Sequence, residues 1–173
     1  HIREGTLDFV LLKPIDSQFF ISLKKINPSG FLEIMLGFFL LLFCIKINQI
    51  NLSLSFLILS LITIICSIFI LYSLWFFIST TTIWFVKTWN AIEVLRSFLY
   101  IGRFPLNSFS FSLRVFFSII IPIAFITTIP SEVFLGLSQL WKILLEVIVA
   151  SVFLITSRKF WLFALKFYSS ASS

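Results

Sequence analysis

The side chain best placed to do chemistry in an apolar setting is Glu146, which lies some six residues into an apolar stretch. A carboxylate at the centre of a bilayer costs on the order of 2.5–3.5 kcal/mol to insert, so such residues usually face a cavity or a partner. Two interpretations stay open. Glu146 pairs with Lys142, four residues earlier on the same helix face, or it handles a proton or a substrate.

Other reactive groups are sparse in the sequence. His1 is the only histidine, and there is neither a Gly-rich phosphate loop nor a nucleophile placed beside a base. Cys44 and Cys66 both fall in apolar stretches, which favours plain packing over a disulfide or a metal site. We therefore expect no catalytic residue, no metal site and no ATP hydrolysis within this chain.

A long uncharged run indicates where the protein resides. Positions 47–86 hold forty residues without Asp, Glu, Lys, Arg or His, and a hydrocarbon core about 30 Å thick needs roughly 20 apolar helical residues to cross it. The chain is 60% hydrophobic and only 12% charged, against roughly 25% charged residues in a soluble domain. The sequence predicts an all-α, polytopic membrane bundle.

The apolar stretches predict four membrane spans, at about 30–47, 52–82, 113–129 and 140–157. The first requires Glu33 and Lys46 to snorkel to the two interfaces. No Gly, Pro, Asn or Asp lies between Leu52 and Val86 to turn a hairpin. The second span is therefore predicted as one tilted helix that continues along the membrane surface as an amphipathic segment. Pro122 interrupts the third span.

The second span also carries small hydroxyl residues within one helix face: Ser53, Ser60, Thr63 and Ser67. Small residues let helix backbones approach closely in lipid, which predicts a packing seam. One alternative is that each hydroxyl simply bonds to a carbonyl of its own helix, and another is a hydrophilic permeation path.

The positive charges indicate the orientation. Of the 13 Lys and Arg residues, eleven lie in the N-terminal segment, in the connection between spans two and three, and in the tail. Only Lys46 and Lys142 lie in the alternate connections. Under the positive-inside rule, segments 1–28, 87–112 and 158–173 are cytoplasmic. This grouping explains the net charge of +6 better than nucleic-acid binding does.

The N-terminal segment 1–28 has the composition of a docking element. Charged and apolar residues interleave from Arg3 onward, and Pro14 stops any helix. Asp16 then offers an N-cap for a short amphipathic helix. This helix bears Phe19, Phe20, Leu23 and Ile26. Such an element suits the docking of another protein, and an ordinary interfacial anchor helix is the alternative.

Several strings in the chain resemble one family, the bacterial ATP-binding-cassette permeases of the type-2 exporter class. They are IREGTLDFVLLKP at 2–14, SLWF at 73–76, GRFP at 102–105, PIAF at 122–125 and ALKFYSSAS at 164–172. A departure is Ser131, where the family commonly has Ala. Family members have six spans and these four resemble the last four, so we expect the true N-terminus to precede His1.

The resemblance implies a permease that pairs with a second permease subunit in the bacterial cytoplasmic (inner) membrane. Separate ABC ATPase subunits would bind ATP and Mg²⁺, and this chain would hold no cofactor. Hydrolysis of ATP by those subunits would drive export of an unidentified substrate. A gradient-driven secondary transporter or channel, or a non-transporting scaffold protein, is the alternative function.

The resemblance also implies roles for individual residues. Candidates for coupling to the ATPase, all in the cytoplasmic segment, are Arg3, Gly5, Asp8, Lys13 and Pro14. A cytoplasmic turn is implied at Gly102, Arg103 and Pro105. Re-entrant helices on the outer side are implied around Pro130 and Glu132.

Overall fold

The computed structural model describes residues 7–23, 28–47, 53–85, 89–104, 108–119 and 122–168. All regular secondary structure in these ranges is helical, which confirms the predicted helical membrane bundle. The chain divides into two compact units, His1–Ser53 with Ser170–Ser173 and Leu54–Ser169. The division groups the first predicted span with the N-terminal segment, whereas the sequence suggested a boundary after residue 28.

The first unit begins with two short helices that contact each other, α1 (Leu7–Leu11) and α2 (Ser17–Leu23). Pro14 lies in the break between them, as expected of a residue that cannot continue a helix. The Asp16 side chain accepts a hydrogen bond from the Phe19 backbone N–H at 3.0 Å. This bond satisfies an otherwise unpaired donor of the first turn and confirms the predicted N-cap.

The first predicted span is a single helix, α3 (Ser29–Ile47). Its stretch Gly30–Ile47 is long and apolar enough to cross a membrane, and the range coincides with the predicted span. Most of its side chains are exposed.

Two long helices, α4 (Leu54–Thr80) and α8 (Leu140–Leu165), form the centre of the second unit. Both can span a membrane, and α4 continues into a 3₁₀ turn at Thr81–Ile83. One continuous helix therefore replaces the hairpin alternative, as predicted. The two helices run parallel, because Ser67 of α4 meets Glu146 near the start of α8 while Trp84 meets Phe163 near its end.

The predicted hydroxyl seam lies on the buried face of α4. Ser60, Thr63 and Ser67 are all buried, whereas Ser53 is exposed. Each of the three also donates a hydrogen bond to a carbonyl of its own helix. The first two interpretations of these residues are therefore correct at once: the hydroxyls are satisfied within the helix, and their small size allows close packing.

After α4 the chain folds back along it. The amphipathic segment is a separate helix, α5 (Trp89–Ile101), and its Leu95 is buried with Phe117 and Ile123. Trp75 and Ile78, from the second half of α4, pack against the same cluster. The predicted helix is thus present, but it turns back against α4 instead of extending it along a surface.

The predicted third span is not one helix. α6 covers Phe111–Ile119, and beyond Pro122 come a π-helical turn at Ala124–Thr128 and α7 (Ile129–Phe134). Pro122 lacks a backbone N–H and so cannot join the helical ladder. Among the described residues, three helices are long enough to span a membrane, and this stretch contributes only a shorter apolar helix, Ala124–Phe134.

Candidate functional site

The buried carboxyl group of Glu146 is held between helices α8 and α4. The side chain is fully buried, and its Oε1 lies 3.0 Å from the hydroxyl of Ser67. Its other oxygen, Oε2, has no hydrogen-bond partner in the described part of the chain. Among the described residues no ion pair of this carboxyl group is found, which is unusual because buried charges are normally paired.

The Ser67 hydroxyl joins three elements at one atom. Besides Glu146, its Oγ lies 2.9 Å from the Thr63 carbonyl oxygen and 2.9 Å from the Phe125 carbonyl oxygen of the π-helical turn. A hydroxyl has a single proton to donate, so three acceptors compete for one donor. A proton on Glu146 would reduce this competition, because the carboxyl group could then donate to Ser67 and the hydroxyl proton would be shared by the two carbonyl oxygens only.

The predicted pair between Lys142 and Glu146 is wrong. Lys142 Nζ lies 2.6 Å from Glu132 Oε2, and both side chains are about one-third exposed. The spacing of four residues places Lys142 and Glu146 near each other on α8, but α7 brings a second carboxylate closer to the ammonium group. Glu146 instead faces α4, which leaves its charge uncompensated by Lys142.

A cavity of about 280 Å³ lies beside this ion pair. It is lined by Gly102, Arg103, Phe104, Thr127, Thr128, Ser131, Glu132 and Leu135. The turn after α5 can approach the π-helical turn because Gly102 has no side chain. A Cβ at that position would lie 2.8 Å from Ile123 Cγ2 and 3.3 Å from Thr127 Cγ2. Glycine is therefore required there for packing, which explains its place in the GRFP string.

The cavity changes the predicted placement of two segments. Gly102 and Arg103 were expected on the cytoplasmic side, and Pro130 and Glu132 on the outer side. The structure brings both segments to one small cavity, and a hydrocarbon core about 30 Å thick cannot separate them. Charge counting assigned the whole connection to one side, whereas α5 carries the turn back along α4 toward α7.

The predicted coupling residues are only partly described. Pro14 separates α1 from α2, and the Lys13 ammonium group lies 4.4 Å from the centre of the Phe20 ring. Asp8 belongs to α1. Its side chain, together with Arg3, Gly5 and the turn residue Pro105, lies outside the described residues, so their roles stay predictions.

Sequence reasoning did not identify Ser67 as the partner of Glu146. It also did not predict that Arg103 and Thr128 line the same cavity. A signal existed for the partner, because Ser67 belongs to the hydroxyl seam that faces the helix interior. No comparable signal joined positions 103 and 128, which lie on elements whose contact depends on the fold. Within the described ranges, no cluster of His, Cys, Asp or Glu is placed to hold a metal ion.

The family described as "ABC-2 family transporter protein" matches residues 1–172, nearly the whole chain. Searches of curated proteins and of solved structures gave no match.

Proposed function

Because the chain belongs to the ABC-2 transporter family, we propose that it is the permease subunit of an exporter driven by a separate ATPase. The match over residues 1–172 carries this proposal, since it includes the N-terminal segment as well as the long apolar helices. ATP and Mg²⁺ would be bound by the ATPase subunit. The chain would supply the membrane path, together with a second permease subunit, in a bacterial cytoplasmic membrane.

The α1–α2 segment is the proposed docking element for the ATPase. Its two short helices contact each other across the Pro14 break, and the Asp16 cap defines where α2 starts. Phe9 and Phe19 are largely exposed at 70% and 61%. Aromatic residues are enriched at the centre of protein interfaces, where charged residues are depleted and confined to the rim.

The proposed mechanism is a change between two arrangements of the helical bundle. ATP-driven closure of the ATPase would pull on the α1–α2 segment and bias the bundle toward one arrangement. The junction at Ser67 is a suitable point of rearrangement, because one hydroxyl there contacts α4, α8 and the π-helical turn. π-Helical turns occur frequently at functional sites.

Copurification tests the proposal. The full chain is coexpressed with the ATPase encoded by a neighbouring reading frame, and the complex is reconstituted into liposomes. We expect a stable complex and substrate efflux that requires hydrolysable ATP. A Walker A Lys→Ala variant of the ATPase is the control, because it should assemble without driving efflux. Transport that follows an ion gradient without the ATPase, or a complex that never transports, would contradict the proposal.

A further inference from the structure

The cavity bounded by the α5–α6 turn and by α7 is a site with unused hydrogen-bond donors. No ion pair or hydrogen bond of the Arg103 side chain is found among the described residues; its guanidinium carbon lies 4.6 Å from the centre of the Tyr100 ring. A guanidinium stacked on an aromatic ring is held in place while its five N–H donors stay available.

The hydroxyl groups of the cavity differ in what they can offer. Thr127 donates to the Ile123 carbonyl and Ser131 donates to the Thr127 carbonyl, so both are used within their own helix. The Thr128 hydroxyl has no such bond within the described chain and lines the cavity. It can therefore donate to a ligand together with Arg103.

The electrostatic balance of the cavity favours an anion. Glu132 lines it, but Lys142 neutralises that carboxylate at 2.6 Å. Arg103 is left as the uncompensated charge, which gives the cavity a net positive character. A planar guanidinium fork is suited to two oxygens of a phosphate group.

The position of the cavity favours a lipid source for that phosphate. It extends to Leu135, at the start of the loop that leads to α8, and so lies near the end of a spanning helix. Phe104 and Leu135 line it and are each about half exposed, so apolar surface adjoins the polar groups. A phospholipid offers a phosphate to the polar groups and acyl carbons to the apolar surface, whereas free phosphate offers only the first.

We propose that this cavity binds the phosphate group of a membrane phospholipid, with Arg103 and the Thr128 hydroxyl as its ligands. The lipid would rest its glycerol and upper acyl carbons on Phe104 and Leu135. Bound there, it would contact both the turn after α5 and α7. This inference does not depend on the ATPase partner.

Native mass spectrometry of the delipidated full chain tests the site. We expect phosphatidylglycerol and phosphatidylethanolamine to be retained, and diacylglycerol, which lacks the phosphate, to be lost. Arg103→Gln should weaken phospholipid retention about tenfold or more, since it removes a charge-assisted bidentate contact. Thr128→Val should weaken it by a smaller factor. Arg96→Gln is the matched control, because it removes the same charge from the exposed side of α5.

Three results would overturn the inference. Equal retention by Arg103→Gln and the parent would exclude Arg103 as a ligand. Equal retention of diacylglycerol would show that the phosphate is not recognised. Displacement of the lipid by millimolar inorganic phosphate would assign the site to free phosphate instead. Because Arg103→Lys keeps the charge without the fork, an intermediate affinity for that variant would support the proposed geometry even if Arg103→Gln were unstable.

Discussion

At the scale of single residues, the hydroxyl of Ser67 and the carboxyl of Glu146 depend on each other. Ser67 is the sole hydrogen-bond partner of Glu146 in the described chain, while Ser67 has two further acceptors within 2.9 Å. Removing the Ser67 hydroxyl therefore leaves the buried Glu146 carboxyl group without a hydrogen-bond partner. Removing the Glu146 carboxyl group still leaves the Ser67 hydroxyl two carbonyl acceptors. The two positions should respond differently to mutation.

Ser67→Ala should lower the free energy of unfolding by about 1–3 kcal/mol, the range for leaving a buried polar group unsatisfied. Ser73→Ala is the matched control. Ser73 is also buried on the same helix, but among the described residues its hydroxyl donates only to the Phe69 carbonyl, at 2.8 Å. Reversible unfolding in mixed micelles, followed by circular dichroism, measures both variants. Equal destabilisation by the two substitutions would mean that the contact of Ser67 with Glu146 makes no additional contribution to the free energy of unfolding.

Glu146→Gln should leave transport within a few-fold of the parent. The amide group has the same shape as a protonated carboxyl group and can donate to the Ser67 hydroxyl. ATP-driven efflux from liposomes is the measurement, with membrane insertion checked in parallel. A hundredfold loss with normal insertion would show that Glu146 exchanges a proton or binds substrate during transport.

At the scale of elements, α5 packs back along α4 and thereby places the turn after α5 next to the chain that leads into α7. Leu95, Phe117 and Ile123 form one buried cluster, so α5, α6 and the chain after Pro122 are held together. Gly102 then brings the turn after α5 to within contact of Thr127. The broken third span is thereby supported by neighbours, as non-helical backbone at membrane depth must be.

Cross-linking tests the arrangement of α5 and α7. After Cys44 and Cys66 are replaced, Arg103→Cys and Glu132→Cys should be joined by a short bismaleimide, since both positions line one cavity. Arg103→Cys with Lys159→Cys is the control, because position 159 lies about 25 Å along α8 from Lys142. Failure of the first pair to cross-link would restore the predicted separation of these segments by the bilayer.

The α1–α2 segment leads to a prediction about coupling. Arg3→Ala or Asp8→Ala should weaken binding of the ATPase subunit by about tenfold or more, because losing one member of a desolvated charge pair at an interface costs about 2–5 kcal/mol. Gly5→Val should act likewise if that glycine allows close approach. Affinity is measured by titration of the purified ATPase.

Lys159→Ala serves as the control for these coupling variants, since it removes a positive charge from the exposed side of α8. Full complex formation and full substrate-stimulated hydrolysis by all three N-terminal variants would reduce the segment to a membrane anchor.

At the scale of the whole molecule, the parallel packing of α4 and α8 constrains the path of the chain. Two parallel spans must be joined by a return across the membrane, and the chain from α5 to α7 is the connection between them. The four-span prediction requires this same direction for the second and fourth spans. The ends of α4 and α8 therefore lie on one side, which the positive-inside rule assigns to the cytoplasm.

Single-cysteine labelling tests this orientation in intact cells. Leu137→Cys, in the exposed loop before α8, should react with an impermeant maleimide added outside. Lys166→Cys, at the other end of α8, should react only after the cells are permeabilised. Labelling of Lys166→Cys from outside would invert the proposed topology.

The sequence by itself determined the features that depend on single residues and their immediate neighbours. The apolar runs located α3, α4 and α8, because transfer into lipid is a property of each side chain. Asp16 and Pro14 located the start of α2 and the break before it, because capping and ring closure act within one turn. The strings from Ile2 to Ser172 indicated a type-2 ATP-binding-cassette permease, and the match over residues 1–172 confirmed the ABC-2 transporter family.

Only the tertiary structure decided which side chains meet. Lys142 pairs with Glu132 and not with Glu146, and Ser67 contacts Glu146 across 79 positions. Arg103 and Thr128 share a cavity because α5 folds back on α4. Helical spacing states which residues share a face, but it contains no information on which helix that face will meet. In lipid, that choice depends on close packing between helices, which is a property of the assembled bundle.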